Sequence, residues 1–145
     1  MWGIVIALIS GVLMSIQGVF NTGVTKQTGM WITNSWVQFT GFLVCVVGWF
    51  IMEKNKTSIG SLFQVDNKYM LLGGVIGAFI TLTVIQSMGQ LGPAKAVLII
   101  VISQVAAAYM IELFGWFGVE KAMFSVRKLI GILIAVGGLV LFKWE

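Results

Sequence analysis

The sequence predicts an all-α integral membrane protein with five transmembrane helices, and three observations lead to this class. Of the 145 residues, 59% are hydrophobic and only 10% are charged, whereas about 25% of residues are charged in soluble domains. Five apolar segments approach the length of about 20 residues that crosses a bilayer core. Tryptophans also lie near the predicted segment ends, as is typical of a membrane interface: Trp2, Trp31, Trp49, Trp116 and Trp144.

The composition argues against several other classes of protein. The chain has one cysteine, Cys45, and no histidine, so the sequence predicts neither an internal disulfide nor a Cys/His metal site. The net charge of +4 is spread over the segment ends without a basic patch, which argues against a nucleic-acid partner. The predicted spans hold no pair of carboxylates, and the chain has no glycine-rich phosphate loop. The sequence therefore predicts neither an enzyme nor a cofactor.

The first two helices are predicted over residues 2–24 and 31–52. The N-terminal segment has no charged region and no small-residue cleavage site, so we interpret it as a retained membrane helix rather than a signal peptide. The second helix is followed by "KNKTSIGSLFQVDNK", residues 54–68, which is the only long polar linker in the sequence.

The last three helices are predicted over residues 69–90, 94–115 and 129–142. A tight turn in "QLGPAKA" separates the third helix from the fourth, because Gly92 suits a helix end and Pro93 suits the first position of the next helix. The fifth helix is the shortest, and its start could extend back to Phe124. No soluble domain remains, so the sequence predicts one transmembrane domain over residues 1–145.

The distribution of Lys and Arg predicts the orientation in the membrane. One side, which holds the second and fourth loops, has six basic residues: Lys54, Lys56, Lys68, Lys121, Arg127 and Lys128. The other side has three: Lys26, Lys95 and Lys143. Because basic residues accumulate in cytoplasmic loops, we expect a cytoplasmic N-terminus and a C-terminus outside. The bias leaves insertion in both orientations open.

Polar side chains occur inside four of the predicted helices. In "SIQGVFNTGV", Gln17 and Asn21 are four residues apart and share one face of helix 1. At about 1.5 Å per residue, Gln17 lies outward from the helix centre, and most of the other polar side chains fall at a similar depth in the membrane. The seven candidate substrate-binding residues are Gln17, Asn21, Asn34, Gln38, Thr83, Gln86 and Gln104.

Two interpretations of these side chains remain open. Each could bond a neighbouring helix and hold the bundle together, at about 0.6–2 kcal/mol per contact. Alternatively, the side chains could line a wet cavity that binds a polar solute. Their shared depth favours the cavity. No metal site is predicted.

Glu112 is the only carboxylate inside a predicted span, close to the cytoplasmic end of helix 4. A negative charge at a helix C-terminus opposes the macrodipole, so we expect a basic partner. Arg127 and Lys128, at the start of helix 5, are the candidates. A proton- or cation-coupling role for Glu112 is the alternative.

With these residues in place, the chain resembles the YdcZ-type family of the drug/metabolite transporter superfamily over nearly its whole length. The resemblance rests on "SIQGVFNTGV", "GGVIGAFITL" and "LGPAKAVLIIVISQVAAAYMIELFGWFG". It implies that the family's recurring positions fall on Gln17, Asn21, Gln104, Glu112, Phe114 and Gly115. The acidic residue is typically Asp in that family and is Glu112 here, which weakens any expectation of a fixed geometry.

The resemblance implies an architecture and a set of partners. Five helices correspond to half of a ten-helix inverted-repeat transporter, so we expect a homodimer or a heterodimer with a homologous five-helix half. On helix 5, the small residues Gly131, Ala135 and Gly138 suit close packing, either in such a dimer or within one chain. The expected surroundings are the lipid bilayer of a prokaryotic inner membrane, and the expected ligand is a small polar solute.

The function that follows is export of small polar metabolites or drugs by alternating access. Short multidrug transporters of the same superfamily carry a buried Glu in helix 1, whereas helix 1 here contains no acid. We therefore do not expect a copy of their proton-exchange mechanism. A non-transporting membrane scaffold or assembly subunit is the alternative function.

Overall fold

The computed structural model describes residues 1–53 and 57–143, and most of this part of the chain is helical. Four residues used in the predicted orientation or the tryptophan pattern lie outside the described residues: Lys54, Lys56, Trp144 and Glu145.

Helices α1 (Trp2–Thr28) and α2 (Met30–Met52) confirm the first two predicted helices. The first is four residues longer than predicted, because the polar segment after Val24 continues the helical backbone hydrogen bonds; the Gly29 N–H, for example, donates to the Thr25 carbonyl at 2.9 Å. Gly29 separates the helices with φ 89°, which side-chain-bearing residues rarely adopt. The hydroxyls of Thr28 and Thr33 lie 3.0 Å apart across this turn.

The third predicted helix has a different start. The α-helix α3 covers Gly73–Leu91, and the residues before it form the 3₁₀ segment Lys68–Leu72. In that segment the Met70 N–H donates to the Asn67 carbonyl at 3.0 Å. The tighter i→i+3 pattern is common at helix N-termini, so the helical segment begins close to residue 69 and its regular α-helical part starts about one turn later.

Helix α4 (Pro93–Phe114) begins as predicted, with Pro93 in its first turn directly after Gly92 (φ 80°). Gly115 caps the C-terminus of this helix: it adopts the left-handed conformation and donates its N–H to the Ile111 carbonyl. Helix α5 (Val126–Lys143) starts three residues before the predicted position.

Four described segments are long and apolar enough to cross a membrane: α1, α2, Lys68–Leu91 and α4. In α5, the basic residues Arg127 and Lys128 precede the apolar stretch 129–142. The chain is therefore a multi-pass membrane protein with four candidate spans, and a fifth crossing by α5 stays a prediction.

The fold divides into two compact units, Met1–Gln86 and Ser87–Glu145. In the first unit α1 packs against α2, and in the second α4 packs against α5. Most large apolar side chains in the described residues are exposed, which suits helices that face lipid. The prediction that the chain forms one domain over residues 1–145 is not tested by this division.

Candidate functional site

Asn34 joins α2 to α3 in the first unit. Its side chain is 5% exposed, and its Nδ2 donates to the backbone carbonyl of Ala78 at 3.2 Å. The Asn34 amide therefore acts as an interhelical contact, as the first of the two interpretations expects.

Gln38, one turn further along α2, extends this contact. Its Nε2 donates to Asn34 Oδ1 and to Thr81 Oγ1, each at 3.4 Å. Thr81 in turn donates to the Gly77 carbonyl at 3.0 Å. We call Asn34, Gln38 and Thr81 the α2–α3 polar cluster. Both Gln38 bonds are at the long end of the hydrogen-bond range and are correspondingly weak. Sequence reasoning did not include Thr81, although it lies two residues before the candidate Thr83 on the same helix.

The two candidates on α3 point to different partners. Thr83 Oγ1 donates to carbonyls of its own helix, those of Phe79 and Ile80, at 3.0 Å each. Gln86 Nε2 lies 3.6 Å from Met30 Sδ, at the start of α2. Both Thr83 and Gln86 are exposed. Thr83 and Gln86 therefore have no hydrogen-bond partner in common.

Gln17 and Asn21 differ from the α2–α3 polar cluster. Gln17 is exposed, whereas Asn21 is 9% exposed. Both line a shallow groove along α1 together with Leu13 and Phe20. Within residues 1–53 and 57–143, neither side-chain amide makes a hydrogen bond to the protein. Their donors and acceptors are therefore available to a ligand, to water or to another chain.

Gln104 is the only one of the seven candidates that lies in the second unit. Its side chain is exposed on α4, and in the part of the chain that the structure describes its amide has no hydrogen-bond partner. Gln104 thus resembles Gln17 in presenting an unsatisfied amide at a predicted mid-membrane position.

The predicted ion pair of Glu112 is present. Lys128 Nζ lies 2.8 Å from Glu112 Oε2, and the two side chains are 51% and 43% exposed, respectively. Lys128 Nζ also lies 5.3 Å from the centroid of the Tyr109 ring, within the range of a cation–π contact. Lys128 precedes the apolar stretch of α5. The hydrogen bond with Glu112 raises the pKa of Lys128.

A second contact at this end of α4 involves Tyr109 and Ser125. The buried Tyr109 Oη accepts a hydrogen bond from the Ser125 N–H at 2.8 Å and donates to the Ser125 carbonyl at 3.2 Å. In addition, the Ala122 N–H donates to the Glu112 carbonyl at 2.8 Å. The segment 115–125 therefore folds back onto the last turns of α4. The sequence alone did not indicate this contact, although a buried tyrosine hydroxyl usually has a polar partner.

Gly115 makes this return of the chain possible. Its φ is 66°, and an added Cβ would lie 3.4 Å from both Lys121 Cβ and the Val119 carbonyl oxygen. A side chain at this position would be strained by the backbone conformation and crowded by the returning segment. Gly115, which the sequence resemblance singled out, thus has a structural explanation at the end of α4.

The contacts around Lys128 close one end of a cavity between α4 and α5. The cavity has a volume of about 440 Å³ and is lined mainly by apolar side chains. Val101, Val105 and Ala108 contribute from α4, and Gly131, Ile132 and Ala135 from α5. Tyr109, Glu112 and Lys128 provide its polar end. Such a volume lies within the range of small-molecule sites.

Comparison with known proteins supports a membrane transport function. The sequence model of a family described as "Putative inner membrane exporter, YdcZ" matches residues 2–141. This match covers all five predicted helices except the last residue of the fifth. No curated protein and no solved structure gives a match.

Proposed function

The chain belongs to the YdcZ family of inner membrane exporters, and from this membership we propose that it is a secondary transporter for small polar metabolites or drugs. Alternating access would expose the solute to each side of the membrane in turn. Family membership and the apolar helices support a multi-pass inner membrane protein. The family description is that of an exporter rather than an enzyme.

The observation that carries the proposal is the state of the Gln17 amide. An unpaired amide in hydrocarbon costs several kcal/mol, and within the described residues Gln17 has no hydrogen-bond partner. A carboxamide both donates and accepts hydrogen bonds. Gln17, with Asn21 one turn away, therefore suits a neutral or zwitterionic polar solute better than a permanent cation.

The remaining candidates support the transport cycle in other ways. In the α2–α3 polar cluster, the two long hydrogen bonds of Gln38 are weak enough to exchange when helices move, whereas the buried Asn34 contact is stronger. We assign Thr83, Gln86 and Gln104 to polar positions along the solute path. Glu112 is paired with Lys128, which favours a positioning role over proton or cation coupling.

Dimer formation is part of the proposal. Five helices are few for a transport path, and larger transporters of this type resemble two such units in inverted repeat. A homodimer, or a heterodimer with a homologous five-helix half, would supply the missing helices.

The alternative function is a non-transporting scaffold or assembly subunit. The Asn34–Ala78 hydrogen bond favours it, because there an amide holds two helices together without any solute. In a scaffold, the amides of Gln17 and Gln104 would bond to another membrane protein.

A ligand screen followed by a flux assay separates these functions. The purified protein is heated in detergent with a library of polar metabolites, because a ligand of the folded state raises the unfolding temperature. Each stabilising compound is then tested for uptake into proteoliposomes, with protein-free liposomes as the control. Saturable flux of a stabilising compound supports the transporter. Absence of both stabilisation and flux across the library would favour the scaffold.

A further inference from the structure

The cavity between α4 and α5 has the length of one membrane leaflet. On α4 its lining extends from Val101 to Glu112, and eleven helical steps of about 1.5 Å give roughly 16 Å. A bilayer core of about 30 Å has leaflets of roughly 15 Å. The cavity therefore reaches from the end of α4 at the membrane surface to the region of the bilayer centre.

Small residues keep this cavity open. Ala108 of α4 and Gly131 and Ala135 of α5 line its walls, and a Cβ added at Gly131 would meet no atom within 4 Å. The walls between these residues are branched aliphatic side chains, including Val105 and Ile132. Water finds no hydrogen-bond partners on such a surface, so an apolar acyl chain is the favourable occupant of the cavity.

The surface end of the cavity has a different chemistry. Lys128 has three N–H donors, and the described structure assigns one of them to Glu112. Arg127 lies beside it in the first turn of α5, and no ion-pair partner for Arg127 occurs in the described part of the chain. Two cations in a first helical turn oppose the helix dipole, and this turn has no acidic residue. Because Glu112 already pairs with Lys128, this end of the cavity has one uncompensated positive charge, which a bound anionic group would offset.

We propose that this cavity is a binding site for an anionic phospholipid of the leaflet in which α4 ends. One acyl chain fills the apolar part of the cavity, and the phosphate lies at Lys128 and Arg127. The distribution of Lys and Arg predicts that this leaflet is the cytoplasmic one. Basic residues near that surface attract anionic lipids. The site is independent of the proposed transport function, because it involves none of the candidate solute-binding amides.

A pair of glycine variants on α5 tests where the acyl chain of the lipid binds. Gly131→Leu places a side chain in the cavity, whereas Gly137→Leu makes the same change on the same helix outside the cavity lining, and neither added Cβ meets an atom within 4 Å. Native mass spectrometry of the purified full-length protein would measure binding of dioleoyl-phosphatidylglycerol and dioleoyl-phosphatidylcholine. Circular dichroism would verify that both variants are folded.

We expect the wild-type protein and Gly137→Leu to retain phosphatidylglycerol more strongly than phosphatidylcholine. Gly131→Leu should bind phosphatidylglycerol about tenfold more weakly, because losing the burial of two methylene groups corresponds to about this factor. Unchanged phosphatidylglycerol affinity in a folded Gly131→Leu protein would overturn the site. If this variant instead loses a dimer while lipid affinity is kept, the cavity holds a second copy and the lipid proposal is wrong.

Charge variants test the phosphate end separately. Arg127→Gln should remove most of the preference for phosphatidylglycerol over phosphatidylcholine while leaving phosphatidylcholine binding unchanged. Arg127→Lys, which keeps the charge, should keep the preference. An equal preference for phosphatidylglycerol in the wild-type, Arg127→Gln and Arg127→Lys proteins would show that no anionic head group binds at Arg127.

Discussion

Lys128 of α5 and Glu112 of α4 form an ion pair with an N–O distance of 2.8 Å. The pair connects the last turns of one helix to the first turn of the next, beside the Tyr109 ring. Both side chains are about half exposed, so the pair adds little to stability and mainly sets the position of Lys128. The pair is the arrangement expected of a positioning role for Glu112, and the first prediction tests this role against ion coupling.

Glu112→Gln should lower the free energy of unfolding by at most about 1 kcal/mol, as for other solvent-exposed ion pairs. Flux per folded molecule should remain largely intact. Glutamine cannot exchange a proton, but a positioning role does not require proton exchange at this residue. Thermal unfolding in detergent and flux in proteoliposomes measure the two effects. Glu120→Gln, which removes a carboxylate of the 115–125 segment, is the control. A Glu112→Gln protein that is stable but inactive would assign Glu112 to coupling.

Tyr109→Phe should be more destabilising than the loss of the ion pair. It leaves the N–H and carbonyl of Ser125 without the Tyr109 hydroxyl, at a cost of about 1–3 kcal/mol. The matched control is Ser125→Ala, because both hydrogen bonds use the backbone of Ser125 and not its side chain. Thermal unfolding of the two variants measures the difference. Equal stability of Tyr109→Phe and the wild-type protein would mean that the contact does not hold segment 115–125.

Asn34→Leu should separate interhelical bonding from solute binding. The variant loses the hydrogen bond to the Ala78 carbonyl, and we expect a loss of about 0.6–2 kcal/mol in stability. Solute affinity should change little, since the Asn34 amide is already bonded within the protein. Ser35→Ala, at the next and exposed position, is the control. Lost solute binding at unchanged stability would place Asn34 in the solute site.

Gln17→Leu should weaken solute binding, in contrast to Asn34→Leu. Leucine suits the membrane, so the variant should fold and lose at most about 2 kcal/mol of stability. Binding of the solute found by the stability screen should weaken by about 1–3 kcal/mol for one buried hydrogen bond. Ser15→Ala is the control, because the Ser15 hydroxyl bonds to its own helix at Gly11. Unchanged solute affinity in folded Gln17→Leu protein would reject the solute-binding role.

Reporter fusions should place the loop 53–68 in the cytoplasm and the C-terminus outside. An odd number of crossings puts the two termini on opposite sides, so the same experiment tests whether α5 (Val126–Lys143) crosses the membrane. Both termini in the cytoplasm would reduce the count to the four spans that meet the length and apolarity criteria. Equal signals for both orientations at each position would instead indicate dual insertion and favour an antiparallel dimer.

The sequence by itself determined which segments form apolar helices, whereas three helix ends differ from the predicted ones by three or four residues. Apolar length is a local property, and the hydrocarbon core demands it of every span. The turn at Gly92 and Pro93 was also predictable, because positive φ and a missing N–H restrict these residues wherever they occur. Even the ion pair of Glu112 followed from the electrostatics of a helix end.

Only the tertiary structure decided which amides are bonded within the protein. Asn34 and Gln17 have the same chemistry and the same spacing to a second polar residue, yet Asn34 bonds to α3 whereas Gln17 has no partner in the described residues. The difference depends on which helix lies opposite each side chain, and spacing along one helix carries no information about that neighbour. The same reason applies to the return of Ser125 to Tyr109 and to the cavity at Gly131, because both arise where α4 and α5 meet.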